Sequence, residues 1–355
     1  MKKIILFLGL LFCCSKILAE PIKKIIFLGD SLSDNGNLYR YDFKIMPKDP
    51  PYFKGRFSNG PTWADYLAED YQTKFNIASD NYAVGGATTV LRNPLKGCLP
   101  LDLREEIDDY LVHTVFKAKE RADALFIIWI GANDYTSETQ QEPHALVNEV
   151  VDEINANIEY LIAKGGKHFS LIDLPDLSKT ARGIMNPDTA PRLSLLSQLH
   201  HQKMLDLFNH LKVKHPDLTF SYIDIYTIFS DVITNTAKYN QKYNVHIKNT
   251  TQSCWLGSYT VKKMMGTQKS DEDELAAELQ ITQKKNIDSH VLARYILNSP
   301  SLSEAYKVEK LQANGMMPCN DPDDYIFWDE IHPTTVMHKM LASIIEEAIT
   351  HKEGE

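Results

Sequence analysis

The 355-residue chain is 43% hydrophobic and 24% charged, with 16 Gly, 16 Pro and 5 Cys. A formal net charge of −9, a pI near 5.8 and the lack of any Lys/Arg cluster argue against nucleic acid as a partner. Gly and Pro are too few and too scattered for collagenous, mucin-like or low-complexity chains, which leaves a globular protein of one large or two ordinary domains.

Residues 1–19 read as a cleaved signal peptide. Lys2 and Lys3 precede an apolar run, Ile4 to Cys14, that is too short to span a bilayer, and Ala19 offers a small residue for cleavage. Residues 20–355 are then the exported chain, expected in the periplasm or outside the cell. Cleavage removes Lys2, Lys3 and Lys16, leaving 35 Lys+Arg against 47 Asp+Glu, a net charge of −12. It also leaves three cysteines, Cys98, Cys254 and Cys319, in an oxidising space where a pair is expected to join.

The first apolar β-rich run, Lys24 to Leu28, leads straight into Gly29-Asp30-Ser31. Ala124 to Ile130, His168 to Ile172 and Leu218 to Ile223 are further short, continuous apolar runs, as strands covered on both faces require. Helical spacing lies between them. Pro143 to Ala163 sets Leu146, Val150, Ile154, Ile158 and Leu161 three and four apart and stops at Gly165-Gly166, and Leu193 to Val213 behaves likewise. A last helix after His332-Pro333 turns Met337, Met340, Leu341, Ile344 and Ile345 inward. The alternation predicts an α/β fold: a three-layer α/β/α parallel sheet with helices on both sides.

One segment, Leu256 to Pro318 between Cys254 and Cys319, breaks the alternation. It reads as a polar helical insertion at about 255–318. Ser270 can cap a helix with Asp271, Glu272, Asp273 and Glu274 in its first turn and Lys284 and Lys285 at its end, and Ser289 and Ser303 look like two further starts. Its weak apolar stripe predicts an outlying cap rather than sheet core.

Ser31 follows a buried strand, and in open α/β sheets ligands bind beyond the carboxyl ends of the strands. It is a candidate nucleophile, although from the tripeptide alone a turn cap is the better reading. Near the other end, Asp329-Glu330-Ile331-His332 sets an acid three residues before an imidazole, close enough to orient the ring. Donors for a developing oxyanion are available in two places. Asn81 to Ala87 holds the pair Gly85-Gly86, where a backbone N–H can approach a substrate closely, and Gly131-Ala132-Asn133-Asp134 presents the Asn133 amide after a buried strand. Metal chemistry has less to stand on: His200, His201 and His210 share one helix without a His-Glu-x-x-His pattern or nearby Cys or carboxylate spacing, and read as a solvated face. No metal or other cofactor is expected. The Gly-x-Ser-x-Gly elbow is also missing, since Ser33 takes the second glycine position.

Taken together, Gly29-Asp30-Ser31-Leu32-Ser33-Asp34, Gly85-Gly86-Ala87, Gly131-Ala132-Asn133-Asp134 and Asp329-Glu330-Ile331-His332-Pro333-Thr334 resemble the four blocks of the GDSL, or SGNH, hydrolases. The resemblance runs from Ile25 to about His338 and implies the family's flavodoxin-like sheet as a single domain. It further implies Ser31 as nucleophile, His332 as general base and Asp329 as its orienting acid. The oxyanion hole would be the N–H of Ser31, the N–H of Gly86 and the amide of Asn133, with Gly85 as the alternative to Gly86.

Gly131 to Tyr135, Asn81 to Thr88 and Tyr325-Ile326-Phe327-Trp328-Asp329 are similar to the bacterial lipolytic branch that includes glycerophospholipid:cholesterol acyltransferases, lysophospholipases and haemolysins. That implies a secreted phospholipase A or lysophospholipase A, with a membrane phospholipid as substrate and a sterol as an optional acyl acceptor. Tyr325, Phe327 and Trp328 either line an acyl groove or form a core aromatic cluster. The alternatives are a short-chain acetyl- or arylesterase and a lipid-binding module without turnover. Because Cys254 and Cys319 bracket one excursion, a disulfide between them is expected, with pairings through Cys98 left open. The insertion would then act as a lid, relieved by an activating protease at an exposed loop.

Overall fold

The computed structural model describes residues 22–41, 44, 46–89, 101–137, 140–255, 268–282 and 288–350. The signal segment 1–19, Cys98, Lys284 and Lys285 lie outside the described residues. Five strands, β1 (Lys24–Gly29), β2 (Ala78–Asn81), β3 (Ala124–Trp129), β4 (His168–Ile172) and β5 (Thr219–Ile223), form one parallel sheet in the order β2-β1-β3-β4-β5. This is the flavodoxin-like order. β3 is buried at every position, as its run Ala-Leu-Phe-Ile-Ile-Trp demands. β2 has no apolar run to announce it: Ala-Ser-Asp-Asn is an edge strand held by β1 alone and partly open to solvent.

Helices cover both sides of the sheet. Trp63–Phe75 packs with the C-terminal helix Thr335–Thr350, while Pro143–Ala163 packs with Leu103–His113 and with Ala190–Lys214. The expected inward residues Met337, Met340, Leu341, Ile344 and Ile345 are all buried. In the strand order, β1 and β3 are the neighbours at which the winding reverses, so the loops after them open into the crevice where such sheets bind ligands. Ser31 sits on the loop after β1, and Asn133 in the first turn of the short helix Ala132–Ser137 that follows β3.

The insertion forms three described helices, Gln268–Thr282, Ser289–Asn298 and Pro300–Ala313. All three starts differ from expectation: the first helix already begins at Gln268, so Ser270 lies inside its first turn rather than capping it. Asp288, not Ser289, caps the second helix through the Val291 and His290 N–H groups, and the third begins at Pro300 with Ser303 already inside it. The expected outlying cap is also corrected: Ser301, Leu302, Ala305, Tyr306, Val308 and Leu311 are buried against the domain. The stripe looked weak because buried Ser301, Glu304 and Glu309 interrupt it.

At the feet of the insertion, β6 (Asn249–Ser253) and β7 (Tyr325–Phe327) pair in parallel. Cys254 and Cys319 are joined by a disulfide with Cα atoms 4.9 Å apart. The Cys254 N–H donates to the Phe327 carbonyl and the Cys319 N–H to that of Cys254, so the bridge lies one strand from Asp329.

Candidate active site

Ser31 stands where β1 ends. A Cβ on Gly29 would lie 2.1 Å from the Trp129 carbonyl oxygen, and Gly29 has φ +151°, so only glycine lets β1 and β3 close at this point. The loop beyond is tied by carboxylates. Asp34 is fully buried and accepts from the N–H groups of Gly36, Asn37, Leu38 and Gly85, which locks the Ser31 loop to the Gly85-Gly86 turn. Glu106 accepts from Gly29 N–H at 2.9 Å and Val84 N–H at 3.3 Å and braces both from behind. Burial pushes the carboxyl of Asp30 up to about 7, despite the Leu32 N–H that it accepts.

His332 and Asp329 arrive on the turn after β7. The Asp329 Oδ1 accepts the N–H groups of Ile331 and His332 at 2.8 and 2.7 Å, folding the turn so that the ring comes back to its own acid. His332 Nδ1 lies 2.7 Å from Asp329 Oδ2, and His332 Nε2 lies 3.0 Å from the Ser31 Oγ. With Nδ1–H donating to the carboxylate, Nε2 is left to accept from the serine hydroxyl. All three side chains are buried. Burial alone would raise the Asp329 carboxyl; the His332 imidazole and the Tyr52 hydroxyl, which donates to Oδ2 at 2.6 Å, outweigh it and hold the group below its ordinary range.

The expected oxyanion donors are close to this pair in the fold. The Gly85 N–H is consumed by Asp34, whereas among the described residues no protein acceptor takes the N–H of Gly86 or of Ser31. This favours Gly86 over Gly85. Gly86 has φ +82°, and a Cβ there would come within 2.8 Å of Leu302, so the insertion packs directly on the turn. Asn133 donates from Nδ2 to the Ala87 carbonyl at 2.9 Å, and its Oδ1 accepts from Ser301 at 2.9 Å.

Ser31, Asn133 and Ser301 line one cavity of about 70 Å³, several times the roughly 10–15 Å³ that a single water requires. Its remaining wall is mostly apolar and includes Leu177, Leu193, Ile225, Phe229, Phe327 and Met337. Of the three aromatics beside the acid, Phe327 lines this cavity and also packs on Phe229, while Trp328 packs edge-on against Trp255 in the core.

The solvated-face reading of the helix histidines holds only for His210. His200 is fully buried, with Nδ1 2.7 Å from the Tyr135 hydroxyl, and burial pushes its imidazole down to about 4. His201 Nδ1 lies 2.6 Å from Asp173 Oδ2 and 3.7 Å from Asp224 Oδ1, carboxylates that sequence spacing could not bring to it because they follow β4 and β5. These three groups cluster closely enough to hold a cation. Each is already engaged: Asp173 accepts from Leu174 N–H and the Tyr222 hydroxyl, and Asp224 caps the helix Ile225–Thr234 through Thr227 N–H.

A family model described as GDSL-like Lipase/Acylhydrolase matches residues 25–345. The phosphatidylcholine-sterol acyltransferase of Aeromonas hydrophila is 28% identical over 335 residues, covering 94% of this chain and 90% of that one. The thermolabile hemolysin of Vibrio parahaemolyticus is 32% identical over 162 residues, 45% of this chain and 35% of its own length. Among solved structures, the psychrotrophic esterase EstA of a Pseudoalteromonas species aligns with a TM-score of 0.33 at 15% identity, over 61% of this chain and 86% of that one.

Proposed function

The chain belongs to the GDSL-like lipase/acylhydrolase family, and from that premise we propose that it is an exported serine esterase cleaving acyl esters of phospholipids or lysophospholipids. The observation that carries this reading is the relay Ser31–His332–Asp329, hydrogen-bonded at 3.0 and 2.7 Å beside an apolar cavity. As Ser31 Oγ forms a bond to the ester carbonyl carbon, its proton passes to His332 Nε2, and Asp329 stabilises the imidazolium. The carbonyl oxygen, now an anion, is met by the N–H groups of Ser31 and Gly86 and by the Asn133 amide. Collapse breaks the bond to the alcohol, which takes the proton from Nε2. Water then attacks the acyl-enzyme by the same proton path in reverse, and a sterol hydroxyl resolves it instead where it competes with water.

An apolar wall suits a long acyl chain better than an acetyl group, and similarity to a phosphatidylcholine-sterol acyltransferase over nearly the whole chain supports a phospholipid source for it. Export rests on the segment 1–19, and a protease acting on the insertion remains part of the proposal. The test is product analysis by mass spectrometry after incubating the protein with mixed phospholipids and lysophospholipids, with and without cholesterol. Released long-chain fatty acid supports the reading, and steryl ester in the cholesterol arm extends it. Hydrolysis confined to acetyl and aryl esters would replace it with the short-chain alternative.

A further inference from the structure

We propose that Ser301, carried by the Cys-flanked insertion, is a positioning residue for the oxyanion hole: its hydroxyl fixes the Asn133 side-chain amide as a donor. A primary amide has nearly identical outlines whether its oxygen or its nitrogen faces a given neighbour, and a flipped Asn133 would turn an acceptor towards a developing anion. Two contacts hold the amide, and the first decides its orientation. The Ala87 carbonyl can only accept, so it selects Nδ2, and occupies one of the two amide hydrogens. The Ser301 hydroxyl donates to Oδ1 at 2.9 Å and ties down the other end.

Ser301 is itself firmly placed. It is 2% exposed, sits in the first turn of Pro300–Ala313 directly after Pro300, and lies 3.4 Å from the Ser299 hydroxyl. The insertion holds the second donor as well, since the Tyr295 hydroxyl donates to the Gly86 carbonyl at 3.1 Å and Leu302 packs on Gly86. Two of the three oxyanion donors thus rest on residues from outside the four motif blocks. The third helix of the insertion is therefore part of the machinery that the excursion covers.

This inference rests on the serine-esterase reading, and the test separates the two. Steady-state kinetics on a soluble ester are compared for the full chain and for Ser31→Ala, Ser301→Ala, Asn133→Ala and the Ser301→Ala/Asn133→Ala pair. Ser301→Ala is expected to lower kcat about tenfold with KM unchanged, less than the roughly 100-fold or more expected on deleting an oxyanion donor outright. In the Asn133→Ala background the same change is expected to cost less than about twofold, because the hydroxyl has no amide left to hold. Parental kcat in Ser301→Ala, or an equal tenfold loss in both backgrounds, would overturn the assignment. Ser301→Cys, which keeps the volume with a weaker donor, gives the same comparison if the alanine variant does not fold. Undiminished activity of Ser31→Ala would instead remove the serine-esterase reading itself.

Discussion

At the scale of single residues, the geometry of the proposed relay depends on partners that lie far away in the chain. The Tyr52 hydroxyl reaches Asp329 across 277 positions, Asp34 reaches Gly85 across 51, and Ser301 reaches Asn133 across 168. That Ser31, Asp329, His332 and Asn133 come together was legible in the sequence because each sits in a short contiguous pattern. Their supports were not, since a lone buried Tyr or Ser carries no local signature until the fold brings its partner up. Tyr52 also offers a direct pH test. Removing its donor in Tyr52→Phe leaves the Asp329 carboxyl more exposed to the upward push of burial. That favours protonated Asp329, which cannot stabilise an imidazolium, so the acid limb of the kcat/KM profile is expected to move to higher pH. An unchanged limb would mean that the Tyr52 contact does not act on the relay.

At the scale of elements, the buried strands and amphipathic helices were readable from periodicity. The insertion was misjudged because polar residues occupy its buried face. Glu304 and Lys307 explain how that face is tolerated. Lys307 bridges Glu304 and Glu330, and Glu304 Oε1 accepts the Glu330 N–H, so the helix Pro300–Ala313 grips the turn that carries Asp329 and His332. Burial first, and then the Glu330 carboxylate, push the Glu304 carboxyl up to about 7 against the opposing pull of Lys307 and Arg182; Asp329 adds to the upward push. A folded-state pKa above the ordinary 4.5 means that the folded chain holds more protons than the unfolded one between those values. The contribution of Glu304 to stability is therefore full below pH 4.5 and is lost as pH rises through about 7. Glu304→Gln removes this titration, so its melting temperature relative to the parent is expected to rise between pH 5.5 and 8. A constant or falling difference would show that the Lys307 pairing keeps Glu304 ionised throughout.

At the scale of the whole molecule, one sheet organises the site and one excursion completes it. β1 and β3 deliver Ser31 and Asn133 from adjacent strands, the turn after β7 delivers Asp329 and His332, and the disulfide anchors the insertion beside that turn. With a sequence separation of 65, the bridge is expected to stabilise the fold by roughly 4 kcal/mol in the chain-entropy description. Cys254→Ser/Cys319→Ser should therefore unfold at a clearly lower denaturant midpoint, and a midpoint equal to that of the parent would show that the loop contributes nothing. Peptide mapping without reduction is expected to recover Cys254 linked to Cys319. The position of Ser301 also bears on the protease proposal. A cut upstream of Pro300 leaves the third insertion helix continuous with the turn that holds Asp329 and His332, so activity is expected to survive nicking there and to rise if the upstream helices restrict access. In the proposed mechanism Ser31 is the nucleophile activated by His332. Mass spectrometry of the protein after treatment with a fluorophosphonate is the decisive measurement: a single adduct on Ser31 is expected, abolished in Ser31→Ala and strongly slowed in His332→Ala, whereas an unlabelled Ser31 in a protein that still hydrolyses esters would rule this mechanism out.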